Sequence, residues 1–134
     1  MALFSVFDIA GSAMSAQSVR LNATASNLAN ANNVASDPQS AYRGKMPVFE
    51  SLMLGEDGMY GVAVNQVVEN STEAPRVHQP GHPMADDEGY VYLSNVNVMD
   101  EMVNMISASR AYQNSVEVLN TSKQLLLRTL TVGQ

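Results

Sequence analysis

No cysteine occurs anywhere in the sequence, which excludes disulfides, thiolate metal sites and thiol nucleophiles. Charge is also scarce: Asp, Glu, Lys and Arg make up 15% of residues, where soluble domains usually carry about 25%. A surface this poor in ions either relies on neutral polar groups or is covered by partners. Asn22, Asn27, Asn30, Asn32 and Asn33, beside Ser26 and Ser36, supply such groups at a lower desolvation cost than full charges. The seven basic residues are scattered and the net charge is −6, which argues against nucleic acid as a partner. No window approaches the roughly 20 apolar residues of a membrane-spanning helix. The apolar start from Met1 to Met14 has no Lys or Arg before it and is interrupted by Asp8, so no cleaved signal peptide is expected.

What the sequence does have is apolar periodicity at both ends. Phe7, Ala10, Met14, Gln17, Leu21, Thr24, Leu28 and Ala31 recur at alternating steps of three and four, the pattern of a helix with one narrow sticky seam. This helix is expected from about Leu3 to Ala31, stopped by the Asn-rich stretch and Asp37-Pro38. A second seam runs through Val98, Met102, Met105, Ser109, Tyr112, Val116, Leu119, Lys123, Leu126 and Leu130. Asn97 is its expected cap, Asp100 and Glu101 suit the positive helix end, and Arg128 and Gly133 mark the stop.

The middle differs in character. Gly55, Gly58, Gly61, Pro75, Pro80, Gly81, Pro83 and Gly89 break it into short pieces, and ten of the acids lie between Met46 and Glu101 with one base, Arg76. Val62, Val64, Val67-Val68 and then Tyr90 to Leu93 have strand character. The expected fold is mainly α: long N- and C-terminal helices forming a coiled-coil pair, with a small β-hairpin-like or irregular insertion between them. The expected divisions are an N-terminal helical segment 1–36, an acidic insertion 37–95 and a C-terminal helical segment 96–134. Seams this narrow bury little surface, so the isolated chain is expected to be only partly ordered and to complete its packing on neighbours.

Candidate chemistry is thin. His78 and His82, with Asp86 close behind, allow a metal-binding module or metal-dependent enzyme as an alternative. Pro80, Gly81 and Pro83 forbid the helix that would put the two histidines on one face, so a rigid turn with an acidic loop is the plainer expectation. Asp86-Asp87-Glu88-Gly89 lacks the spaced ligands of a calcium loop. No motif selects a nucleophile, and neither catalysis nor a cofactor is expected. Arg110 is either solvated or paired with a neighbouring molecule. The candidate functional residues are those of the two seams, read as an assembly interface: Phe7, Met14, Leu21, Leu28, Val98, Met102, Met105, Tyr112, Val116, Leu119, Leu126 and Leu130.

The segment His82 to Val91, continuing through Asn95 to Val98 and Glu101 to Ile106, then Ser107 to Tyr112 and Leu119 to Thr121, resembles the flagellar axial-protein family. Ser26 to Asn32 resembles the Asn-rich motif shared by rod and hook proteins, and Tyr42-Arg43 the short basic step after it. The C-terminal segment together with the length is similar to the proximal-rod members, with departures at Asn33, Ser94 and Asn114-Ser115. This resemblance implies a subunit of a helical rod outside the inner membrane, exported without a cleaved signal, that transmits torque from motor to hook. It implies as partners further copies of the chain, other rod proteins, and the inner-membrane ring and export apparatus. A cytoplasmic coiled-coil adaptor is the other alternative that the helices allow.

Overall fold

A computed structural model describes residues 2–56 and 58–134. Met1, at the head of the apolar start, and Asp57, among the central acids, lie outside them. In chain order the elements are α1 (Ala2–Asn30), β1 (Val34–Ala35), β2 (Lys45–Leu54), β3 (Met59–Glu69), β4 (Arg76–His78), β5 (Tyr90–Leu93) and α2 (Val98–Val132). Two long helices therefore flank a small antiparallel β region. At 1.5 Å per residue they are about 43 and 52 Å long.

The helix ends follow from the side chains placed there. Asn30 Nδ2 donates to the Ser26 carbonyl at 2.8 Å and Asn33 Nδ2 to Asn30 Oδ1 at 2.7 Å, local bonds that favour leaving the helix. Asn97 caps α2, its Oδ1 accepting from the amides of Met99 and Asp100 at 3.0 and 3.4 Å. At the far end the Gly133 amide donates to the Thr129 carbonyl at 3.1 Å.

The insertion holds more strand than the sequence suggests. β2 and β3 form a long antiparallel hairpin, from Lys45 opposite Glu69 to Leu54 opposite Met59, with a bulge between Val48 and Phe49. Gly55 (φ +75°) and Gly58 (φ +69°) take up the left-handed backbone at its tip, which glycine adopts without a Cβ clash. A second sheet has the order β1-β5-β4, so β5 is its middle strand. The two expected strand regions thus belong to different sheets. β2 escapes the sequence because it contains Pro47 and a bulge and carries Met46, Val48, Phe49, Leu52 and Met53 without strict alternation. β1, within the expected segment 1–36 but beyond the expected helix end at Ala31, pairs Val34 with Leu93.

α1 is the middle layer. It packs against α2 on one side and against β3 and β2 on the other. The hydrogen bonds Arg20–Asn104 and Asn27–Glu101 run in opposite numerical order along the two helices, which makes them antiparallel. On the hairpin side, Ser12 Oγ donates to the Ile9 carbonyl at 2.7 Å and accepts from the Val62 amide at 3.1 Å. Gly61 permits this approach, since a Cβ there would stand 2.6 Å from Ser12 Oγ.

Among the described residues, the buried apolar ones are Ala10, Ala16, Ala31, Ala35, Ala41, Ala108 and Val91. Alanine interiors let elements approach closely but bury little apolar area per residue. No described helix is long and apolar enough to cross a membrane.

Candidate assembly site

The inner row of α2 is built from smaller residues than the apolar pattern picks out. Ala108 and Ser122 are buried, and with half-buried Glu101, Met105, Tyr112, Ser115, Leu119 and Leu126 they recur at alternating steps of four and three. Met105, Tyr112, Leu119 and Leu126 of the expected seam lie in this row. The positions between them are shifted by one residue: Val98 and Val116 are half-buried, whereas Met102 is 49% and Leu130 59% exposed. The sequence pattern favours bulky apolar side chains, but close packing against α1 selects small ones at the buried positions. Ser115 fits because its hydroxyl donates to the Ala111 carbonyl of its own helix at 3.1 Å.

On α1 the expected seam residues Phe7, Met14, Leu21 and Leu28 are half-buried, while Ala10, Thr24 and Ala31 of the same seam are buried. Ala16 and Asn27 are buried as well. A helix covered on two sides has no single seam, which the heptad spacing could not reveal.

The large apolar residues face outwards. On α2, Met99 is 70% and Val103 65% exposed, and Ile106 lies on the same face at steps of four and three. Val103, Ile106, Ser107, Arg110, Ala111 and Asn114 line a shallow hollow of about 490 Å³. Met46, Leu52, Met53 and Tyr60 of the hairpin are also exposed. A surface that displays its large hydrophobes while burying alanines has the character of one covered by partners. The steps of four and three from Met99 through Val103 to Ile106 are the sequence signal of this face, which the seam reading passed over.

Where the hairpin meets the helices, two asparagines tie the backbone together. Asn27 Oδ1 accepts from the Lys45 amide at 2.8 Å and from the Tyr42 hydroxyl at 3.0 Å. Its Nδ2 donates to the Lys45 carbonyl at 2.8 Å and to Glu101 Oε2 at 3.1 Å. Asn95 Oδ1 accepts from the Gly44 amide at 2.8 Å, and its Nδ2 donates to the carbonyls of Asn70 and Thr72.

The residues that suggested a metal site have other work. Asp86 Oδ1 accepts from the amides of Glu88 and Tyr90, and its Oδ2 from the Tyr92 hydroxyl. The Tyr90 amide bond foremost holds the Asp86 carboxyl below its ordinary range, while burial and the Asp86 charge push the Tyr92 phenol up. His82 Nδ1 accepts from the Met84 amide at 3.0 Å, and His78 packs on the Tyr90 ring at 5.0 Å between centroids. Arg76 stands over the same ring at 4.7 Å. No cluster of three His, Cys, Asp or Glu side chains suited to a metal forms among the described residues.

Comparison with known proteins places matches on both helical ends. Residues 7–35 match the family "Flagella basal body rod protein", and residues 87–132 the family "Flagellar basal body rod FlgEFG protein C-terminal". Neither match includes the β2–β3 hairpin. The flagellar basal-body rod proteins FlgC of Yersinia enterocolitica and Salmonella typhimurium are 52% and 51% identical over 134 residues, covering all of both chains in each case. That of Buchnera aphidicola (subspecies Acyrthosiphon pisum) is 39% identical over 136 aligned positions, again covering both chains fully.

Proposed function

The chain belongs to the FlgC family of flagellar basal-body rod proteins, and from that premise we propose how it works as a structural subunit of the rod. α1 and α2 pair as a coiled coil, and these pairs stand side by side with those of neighbouring subunits in a helical tube that carries torque from motor to hook. The observation that carries this reading is the outward apolar face of α2, where Met99, Val103 and Ile106 have no covering element. Such a face meets a different surface on the next subunit, a heterologous contact that propagates into a filament instead of closing. Arg110, in the same hollow, then reaches an acceptor on that neighbour.

The half-buried seam residues Phe7, Met14, Leu21, Leu28, Met105, Tyr112, Leu119 and Leu126 hold the pair, and Met102 and Leu130 turn outward to neighbours. Helical segments 1–36 and 96–134 then act as the assembling unit and 37–95 as an acidic outer part. Other rod proteins and the inner-membrane ring with its export apparatus are the partners, reached without a cleaved signal. Family membership takes the ground from the cytoplasmic-adaptor alternative, and the engaged Asp86 takes it from the metal one.

Val103→Asp combined with Ile106→Asp tests the assembly face, because both positions are exposed and the change leaves the chain's own packing intact. Purified basal bodies are expected to lack the rod, and cells to be non-motile, while helix content of the purified chain is unchanged. Intact rods and normal swimming would refute the assignment of this face.

A further inference from the structure

The β2–β3 hairpin is fastened to the helices at two places. One is Ser12, against Gly61 and the Val62 amide; the other is Asn27, against Lys45. The fifteen-residue step from Ser12 to Asn27 sets the two fastenings roughly 22 Å apart along α1.

Asn27 is 1% exposed, and its side-chain amide makes all four of the hydrogen bonds its chemistry allows. It binds both the N–H and the C=O of Lys45, as a neighbouring strand would, and so takes the place of a ladder partner at the base of β2. The same amide reaches Glu101 in the first turn of α2. One side chain on α1 thus joins the hairpin to the helix pair. Terminating α1 is not its task, because Asn30 makes the bond back onto that helix. Asn95 braces the same corner by tying Gly44 to Asn70 and Thr72, beside the Asn70 amide bond to the Gly44 carbonyl at 2.7 Å.

We propose that Asn27 is a positioning residue that locks the β2–β3 hairpin at a fixed angle on the helix pair, so that the subunit twists as one body. A hydrogen-bonded amide suits that task because its geometry is directional, where an apolar contact would allow sliding. The proposal rests on the rod function stated above, and its test separates the two.

Amide exchange is measured on the full chain, unsubstituted and carrying Asn27→Leu or the near-isosteric Asn27→Asp. Lys45 and Val62 are expected to be protected in the unsubstituted chain. Asn27→Leu should raise exchange at both by about tenfold or more, since release of one fastening frees the hairpin at the other. Fast exchange at Lys45 in the unsubstituted chain, or an unchanged Val62 in the variant, would overturn the proposal.

In cells, Asn27→Asp should reduce swimming, most under viscous load, because the new carboxylate faces the Lys45 carbonyl and Glu101. Adding Glu101→Gln restores a donor between the helices but not to Lys45, so swimming should stay impaired. Recovery with that second change would show that only helix pairing matters, and would also overturn the proposal. Deleting the gene separates the readings: normal swimming without the chain would remove the rod function, whereas the exchange result stands by itself.

Discussion

Ala108→Asp puts a carboxylate at a position with 0% exposure in the inner row of α2. On its own helix the nearest bases, Arg110 and Lys123, are exposed, and Arg20 of α1, one turn away, is already bonded to Asn104 Oδ1. An uncompensated buried charge costs roughly 3–5 kcal/mol. Against a net stability of about 5–15 kcal/mol for a domain, that is a large share. The melting temperature of the purified chain, followed by circular dichroism, should fall by roughly 10–20 °C. Burial raises the folded-state pKa of the new group above its unfolded value of about 3.9. The penalty is therefore full at neutral pH and shrinks as pH falls through that raised value. Val116→Asp, at a half-buried site whose carboxylate can turn to water, should cost clearly less. If Ala108→Asp melts like the unsubstituted chain, or Val116→Asp proves the more damaging, the helices meet along the bulky apolar seam and the alanine-lined contact is wrong.

Gly61→Ala should destabilise by about 1–3 kcal/mol, because the added Cβ would collide with Ser12 Oγ and Leu54 and push β3 off α1; urea unfolding measures it. Ser12→Ala should cost about 1–3 kcal/mol by leaving the Val62 amide unpaired, and the two changes together should be less than additive. Asp86 has a folded-state carboxyl below its ordinary value of 3.8, so its contribution is present above that pH and is lost as pH falls through the lower folded value. Proteolysis of the 79–90 turn should accordingly rise only in strong acid, and Asp86→Ala should abolish that pH dependence. His78→Ala with His82→Ala should leave rod assembly intact and alter no zinc binding by calorimetry; lost assembly restored by zinc would revive the metal alternative.

Much of the chain was legible because its signals are local. Asn97 caps the second helix through its own side chain, and the Asn-rich stretch ends the first through Asn30. Tyr90 to Leu93 carried enough β-branched and aromatic character to show as a strand. β2 did not: its partner lies across a glycine turn, its bulge breaks the period, and Pro47 argues against a strand. The metal alternative was open only while the partners of Asp86 were unknown, since nothing in Asp86-Asp87-Glu88 says that amides will occupy the carboxylate.

By itself the sequence determined two long terminal helices, the N-cap of the second, an acidic middle and membership of an axial-protein family, because periodicity, capping and motifs are written within a few consecutive residues. Only the tertiary structure decided which row of each helix faces inward, that α1 lies between α2 and a hairpin, and that Asn27 joins all three. Those outcomes depend on how closely backbones approach, and that is set by small residues such as Ala108 and Gly61, which leave almost no mark in an apolar pattern.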